Sequence, residues 1–178
     1  CMLRPWFGSL SMLVKLHSPC PVCSRRSRVG RNNLEFQVLK FRSMRVGSDK
    51  KGLSTVGGRD PRSTRSGYYI RKDKLDELPQ LINVLKGEMS IVGPRPEVKK
   101  YVQHYPPRFL KVLDVRPGIT DPASIAFIEE SELLAKGSDP EKAYIEEVLP
   151  EKLALQLAYV KEQNAWKDLR VIVNTLIR

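Results

Sequence analysis

The most regular hydrophobic pattern in this 178-residue chain lies between residues 75 and 85. Apolar side chains recur there at the spacing of one helical face: Leu75, Leu78, Leu81, Ile82 and Leu85. The pattern predicts an amphipathic helix with one buried stripe, ended by Gly87 as a C-terminal cap. Pro79 is acceptable only in a first turn, so the helix is expected to begin near Asp73 or Asp76, either of which can cap it.

The remaining patterns predict a small sheet and further helices. Alternation from Glu35 to Phe41 predicts a strand, paired with residues near Pro21 to Ser24 as a hairpin. Residues 45–67 are rich in Gly, Ser, Lys and Arg, which predicts a loop, either over a ligand site or as a solvated connection. From Val98 onward the pattern is mainly helical. The length suits one domain, so we predict a helix-rich α+β fold with a small β-hairpin.

The last predicted helix has an apolar face whose partner the sequence leaves open. That face carries Trp166, Leu169, Ile172, Val173 and Leu176. Packing against the domain and contact with a membrane interface are both compatible with it.

The first chemically suggestive feature is an adjacent acidic pair, Asp76 and Glu77, at the expected start of the helix. Cations precede the pair, and a rigid turn that contains Pro94 and Arg95 follows the helix. A helix dipole and nearby cations would keep Asp76 ionised, as a nucleophile or metal ligand must be. The alternative is an ordinary capping pair, because acids are common in a first helical turn.

Charge is distributed unevenly along the chain. The whole chain carries a net charge of +11, but residues 1–75 hold 17 Lys and Arg against four Asp and Glu, and the remainder is slightly acidic. This asymmetry indicates an anionic partner: nucleic acid, anionic lipid or a phosphorylated ligand. A nucleic-acid-binding protein is the rival class. The sequence shows no helix-turn-helix, zinc-finger, RNP-type or KH motif, and aromatic residues make up only 7% of it. We therefore expect no nucleic acid partner.

A series of ordered motifs resembles the bacterial sugar transferase family, the monotopic polyprenyl-phosphate phosphoglycosyl transferases. The motifs are Ser18-Pro19-Cys20-Pro21-Val22, Arg28-Val29-Gly30, Lys40-Phe41-Arg42-Ser43-Met44, Thr64-Arg65-x-Gly67, Ile70-Arg71-Lys72, Leu75-Asp76-Glu77-Leu78-Pro79-Gln80-Leu81, Asn83-Val84-Leu85-Lys86-Gly87, Ser90-Ile91-Val92-Gly93-Pro94-Arg95-Pro96 and Val115-Arg116-Pro117-Gly118-Ile119-Thr120. They run through nearly the whole chain.

The resemblance implies a two-step transferase. Asp76 would attack the β-phosphorus of a UDP-sugar and release UMP, and undecaprenyl phosphate would then accept the phosphosugar. The family's Mg²⁺ would be held by Asp76 and Glu77, with Glu77 also a candidate for positioning water. Phosphate and nucleotide contacts are expected from these residues: Lys40, Arg42, Arg65, Arg71, Pro94 and Arg95. The products would enter exopolysaccharide, capsule, O-antigen or glycoprotein glycan synthesis.

The resemblance also predicts membrane attachment. Residues 1–17 would be the remnant of a re-entrant membrane helix, here truncated, and residues 18–178 the catalytic domain. Pro5 to Val14 is apolar but only about half of the roughly 20 residues that a spanning helix needs. The expected location is the cytoplasmic face of a bacterial inner membrane, among its lipids, with a homodimer left open. A non-catalytic remnant that keeps the fold as a binding domain is the alternative.

One segment departs from the family pattern. Where many members continue Gly-Trp-Ala-Gln after the Ile-Thr pair, this chain has Asp121-Pro122-Ala123-Ser124. Because this region is expected to affect sugar choice, no relative's sugar can be assigned to this chain from the resemblance.

Overall fold

A β-hairpin opens the structured part of the chain. The computed structural model describes residues 21–45, 62–130, 134 and 139–177. Strands β1 (Cys23–Val29) and β2 (Glu35–Phe41) pair antiparallel, with Cys23 opposite Phe41 and Val29 opposite Glu35. The turn between them uses positive φ at Asn32 and Asn33, which asparagine tolerates better than most residues. The predicted strand and its hairpin partner are confirmed.

The predicted amphipathic helix is divided into a 3-10 turn and a short α-helix. Helix α1 (Arg65–Lys72) ends before Lys74, whose left-handed backbone (φ 54°) turns the chain into a 3-10 turn at Leu75–Glu77. Helix α2 (Gln80–Leu85) begins only after Pro79. The predicted start near Asp73 or Asp76 matches the 3-10 turn, but the α-helix begins only at Gln80 and neither aspartate side chain caps it. Asp76 and Glu77 lie in the 3-10 turn, which leads through the helical backbone of Leu78 and Pro79 into α2.

The predicted buried stripe is also wrong at its C-terminal end. Ile82 is 40% exposed and Leu85 is 88% exposed, whereas the polar Asn83 is fully buried. Helix α2 turns this polar side toward β2 because Asn83 hydrogen-bonds to the backbone of that strand. Gly87 follows the helix with φ 76° and donates its N–H to the Val84 carbonyl, so the predicted C-terminal stop is confirmed.

A second, parallel pair of strands brings two glycine turns together. Strand β3 (Ser90–Val92) pairs with β4 (Gly118–Thr120). The strands continue into a close backbone approach, where a Cβ atom added to Gly118 would lie 2.1 Å from the Gly93 nitrogen. Only glycine fits there. The contact fixes the Pro94–Arg95 turn, since the Gly118 N–H also donates to the Pro94 carbonyl at 3.0 Å.

The rest of the described chain is mainly helical, as predicted from Val98 onward. Its elements are α3 (Lys99–Val102), a 3-10 segment (Pro107–Asp114), α4 (Pro122–Ala126), α5 (Pro140–Ala143), a π-helical turn (Tyr144–Val148), α6 (Leu149–Lys161) and α7 (Ala165–Ile177). The largest buried apolar cluster joins the hairpin residue Val29 to side chains of these elements, including Tyr101, Phe109, Tyr144 and Leu153. The helix-rich α+β class with small sheets is confirmed.

Helix α7 packs through a face other than the predicted one. Val171 is its buried residue, and Ile172 packs beside it against the cluster that contains Val92 and Tyr159. The other members of the predicted face are exposed: Trp166, Leu169, Val173 and Leu176. Across the described residues, the longest apolar helices fall short of what a membrane crossing requires. The predicted membrane segment, residues 1–17, and most of the predicted loop, 46–61, lie outside the described residues.

Candidate active site

Three separate elements place charged side chains around the acidic pair. Lys40 comes from β2, Asp76 and Glu77 from the 3-10 turn, and Arg95 from the turn after β3. Asn83 ties α2, the helix that follows the 3-10 turn, to β2. Its amide accepts from the Leu39 N–H at 3.1 Å and donates to the Gln37 carbonyl at 2.8 Å, so α2 is tied to β2 next to Lys40.

Glu77 is the fixed member of the acidic pair. Its Oε1 lies 2.7 Å from Lys40 Nζ, and the Arg95 guanidinium spans both carboxylate oxygens, with Nη2 on Oε1 and Nη1 3.3 Å from Oε2. Burial raises the pKa of the Glu77 carboxyl, but the charges of Arg95 and Lys40 more than offset this and hold the pKa well below its usual range. Glu77 is thus a buried anion that orients two cations.

Asp76 differs from its neighbour in having no such partner. It is 8% exposed, and within the described ranges no hydrogen bond or ion pair joins its carboxylate to another group. Burial raises the pKa of Asp76 above its usual range, and the charge of Glu77 adds to this, while Lys40, Arg71 and Arg95 oppose it. The arrangement leaves one carboxylate available to react beside two bound cations.

A buried aspartate that sequence reasoning did not assign supports the Arg95 turn. Asp121 is fully buried, and its Oδ2 accepts from the Arg95 backbone N–H at 3.1 Å and from Gln156 Nε2 at 2.6 Å. Its Oδ1 accepts from the Ser124 N–H and caps α4. Arg95 Nη1 also donates to the Ile119 carbonyl at 3.4 Å. The departure from the family pattern at Asp121 marked this position, but the hydrogen bonds needed the fold.

The other predicted phosphate contacts are placed at different distances from the pair. Arg71, near the end of α1, acts on the charge of Asp76. Arg42 lies one residue past β2 and donates Nε to the Pro21 carbonyl at 3.0 Å. Arg65 is exposed at the first position of α1, and Pro94 is buried and shapes the turn through its carbonyl. Lys40, Arg71 and Arg95 thus act on the pair, whereas Arg42 and Arg65 form no hydrogen bond or ion pair with it in the part of the chain that the structure describes.

The donor set suits a magnesium ion only in part. Mg²⁺ takes oxygen ligands and uses one or two carboxylates together with substrate phosphates. Asp76 offers a buried carboxylate without a partner of its own, whereas both Glu77 oxygens already contact cations. No cluster of three or more acidic, histidine or cysteine side chains suited to a metal occurs in the described part of the chain. Of the two acids, Asp76 is therefore the one that would hold such an ion, with substrate phosphates as further ligands.

The family follows from comparison with known sequences. Residues 1–178, the whole chain, match the bacterial sugar transferase family. The chain belongs to this family, as the ordered motifs predicted.

Individual relatives are similar at about one third identity. The chain is 35% identical to the UDP-N-acetylgalactosamine-undecaprenyl-phosphate N-acetylgalactosaminephosphotransferase of Aeromonas hydrophila, over 98% of this chain and 39% of that protein. It is 36% identical to the UDP-glucose:undecaprenyl-phosphate glucose-1-phosphate transferase of Xanthomonas campestris pv. campestris, over 99% of this chain and 35% of that protein. The exopolysaccharide production protein PSS of Rhizobium leguminosarum bv. phaseoli is 34% identical, with 99% and 86% covered. The chain thus spans little more than a third of the first two relatives.

Proposed function

We propose that this chain is a phosphoglycosyl transferase domain that moves a phosphosugar from a UDP-sugar to undecaprenyl phosphate. An oxygen of Asp76 attacks the β-phosphorus, the bond from that phosphorus to the bridging oxygen breaks, and UMP leaves with the bridging oxygen. A phosphate oxygen of undecaprenyl phosphate then attacks the same phosphorus. The bond to Asp76 breaks, and the free carboxylate returns with the polyprenyl diphosphate sugar as product.

The contrast between the two adjacent carboxylates carries this proposal. Glu77 is held by Lys40 and Arg95, whereas Asp76 has no such partner in the described structure. A nucleophile needs a lone pair that no neighbouring side chain already engages, and burial keeps water from solvating that lone pair. Asp76 meets both conditions, whereas Glu77 is equally buried but has both oxygens in contact with cations.

The cations around the pair address the repulsion between a carboxylate and a diphosphate. Lys40 and Arg95 are anchored on Glu77, which leaves their remaining N–H groups for phosphate oxygens without a cost of ordering long side chains. Bound Mg²⁺, shared by Asp76 and the diphosphate, would supply further charge neutralisation. Glu77 then acts chiefly by positioning Lys40 and Arg95, and its role as a second metal ligand stays a prediction.

The setting that we propose is the cytoplasmic face of a bacterial inner membrane. The named activities of the two nucleotide-sugar relatives both involve undecaprenyl phosphate, a membrane lipid, and the Rhizobium relative is named for exopolysaccharide production. Contact with membrane lipids and a homodimer stay predictions. The alternative of a non-catalytic binding domain is disfavoured by the complete charge arrangement around Asp76, which a binding role alone does not require.

The experiment that tests this proposal measures UMP release in detergent micelles with undecaprenyl phosphate, Mg²⁺ and each of several UDP-sugars. Asp76→Asn is expected to abolish release, because a neutral amide is a poor nucleophile. Asp73→Asn is the matched control: it changes an exposed aspartate three residues away and is expected to keep activity. UMP release that persists in Asp76→Asn would refute the assignment. Sequence-selective binding of DNA or RNA without UMP release would favour the nucleic-acid class instead.

A further inference from the structure

A cavity of about 360 Å³ is lined in part by Arg71 and Arg95, the two arginines whose charges act on Asp76. Arg71 and Arg95 form the wall nearest the pair, and the remaining walls come from β1, α3, α4, the π-helical turn and α6. This volume lies near the lower end of the roughly 300–1,000 Å³ typical of small-molecule sites. Arg71 and Arg95 belong both to the cavity wall and to the surroundings of the acidic pair. A molecule whose phosphates bind at these two arginines would therefore extend into the cavity.

The wall away from the acidic pair is a buried network of charged and hydroxyl groups. Lys152, 5% exposed, lies 2.9 Å from Glu130 and 3.9 Å from Glu97. Tyr144 donates its hydroxyl to Glu97 at 2.6 Å and lies 3.5 Å from Lys152 Nζ. For stability alone such a network has little advantage over apolar packing. At a cavity wall it offers donors and acceptors side by side.

The α4 wall contributes a hydroxyl whose bonding capacity is unused. Ser124 Oγ is buried and makes no hydrogen bond to any residue that the structure describes. A buried hydroxyl without a partner costs free energy unless a ligand or water satisfies it. Phe127, one turn further on, adds an apolar ring to the same wall. Ser124 belongs to the segment in which this chain departs from the family pattern.

We propose that this cavity binds the sugar ring of the nucleotide-sugar donor and that Ser124 is a specificity-determining residue; the proposal rests on the transferase function above. Sugar hydroxyls both donate and accept hydrogen bonds, which matches the Lys152, Glu130 and Ser124 groups. The ring's C–H faces suit Phe127. The attacked phosphorus also carries the sugar, so the sugar must lie next to Asp76 and its neighbour Arg71.

The first test compares kcat/KM for UDP-glucose, UDP-galactose, UDP-N-acetylglucosamine and UDP-N-acetylgalactosamine. Ser124→Ala removes the hydroxyl and leaves no partner unpaired, and Ser124→Val also narrows the cavity. We expect Ser124→Val to change the preference among the four donors by about 10-fold or more, the effect of a small steric change in a pocket. Ser27→Ala, an exposed serine on the hairpin, is the matched control and is expected to leave the preference unchanged.

The second test does not depend on turnover. In the Asp76→Asn background, the ratio of Kd for UDP to Kd for the preferred UDP-sugar measures what the sugar contributes to binding. Ser124→Val is expected to bring this ratio close to one, with the Kd for UDP unchanged. An equal loss of affinity for UDP and UDP-sugar would place the nucleotide in the cavity and overturn the proposal. The proposal would also be overturned if Ser124→Ala and Ser124→Val both left the donor preference and the ratio of the two Kd values unaltered. Sugar-dependent binding without UMP release would refute only the transferase function and would leave the sugar-binding proposal standing.

Discussion

The two adjacent carboxylates should respond to neutralisation with opposite changes in stability. Glu77→Gln keeps the side-chain volume but removes the charge that Lys40 and Arg95 share. Breaking a buried ion pair on one side costs about 3–5 kcal/mol. Lys40 and Arg95 are 26% and 33% exposed, so water compensates in part, and we expect a loss of about 2–3 kcal/mol. For a domain of this size that lowers Tm by about 4–12 °C.

Asp76→Asn should instead raise Tm, because burial makes the ionised carboxylate unfavourable in the folded protein. The pKa directions give the pH dependence. The pKa of Asp76 is raised on folding, so ionisation costs stability as the pH rises through the ordinary aspartate range, and the benefit of Asp76→Asn should disappear at lower pH. The pKa of Glu77 is lowered, so its stabilisation is present above the ordinary glutamate range and is lost only at strongly acidic pH.

Thermal unfolding of the unmutated protein, Glu77→Gln and Asp76→Asn between pH 4 and 8, followed by circular dichroism, measures the expected loss and the expected gain in Tm. Glu35→Gln is the matched control, since it removes an exposed acid whose partner Lys99 is 68% exposed, and it should leave Tm nearly unchanged. Equal Tm values for Glu77→Gln and Glu35→Gln, or a clear loss of Tm in Asp76→Asn at neutral pH, would refute the division of roles between the carboxylates.

Two further predictions concern residues that hold the site together. Arg95→Ala should lower kcat/KM by about 10- to 150-fold, mainly by raising KM, because a charged hydrogen bond is worth about 1.5–3 kcal/mol. Arg95→Lys should restore only part of the lost kcat/KM. Wild-type kinetics for Arg95→Ala would show that Arg95 does not belong to the nucleotide site. Asn83→Ala should destabilise the fold by about 2–4 kcal/mol in urea unfolding, since backbone groups of β2 lose a buried partner; a cost no larger than that of the exposed Gln103→Ala would contradict this.

Local patterns predicted the elements whose conformation local chemistry decides. The alternation in Glu35–Phe41 gave the strand, and Gly87 ended α2 because positive φ is easy for glycine. The pattern failed where a tertiary contact outweighed helical periodicity. Asn83, with three hydrogen-bonded partners, decides which face of α2 is buried, and Leu85 is left in solvent. Spacing alone carries no information about such a contact.

The site was predictable as far as its residue types and motifs go. Asp76, Glu77, Lys40 and Arg95 were all candidates from the sequence, and the fold brings them together. Their contacts were not predictable, because residue types do not tell which carboxylate the cations reach. Asp121 and the Lys152 network were missed for a related reason: each bonds to residues more than 20 positions away in the chain.

The central claim is that Asp76 forms a covalent bond to the phosphosugar. The most direct measurement is mass spectrometry of the protein after incubation with a UDP-sugar and Mg²⁺, without undecaprenyl phosphate. We expect a phosphosugar mass on the peptide that contains Asp76, lost in Asp76→Asn, kept in Asp73→Asn and discharged when undecaprenyl phosphate is added. UMP release with undecaprenyl phosphate but no adduct on quenched protein, or an adduct on another residue, would contradict it.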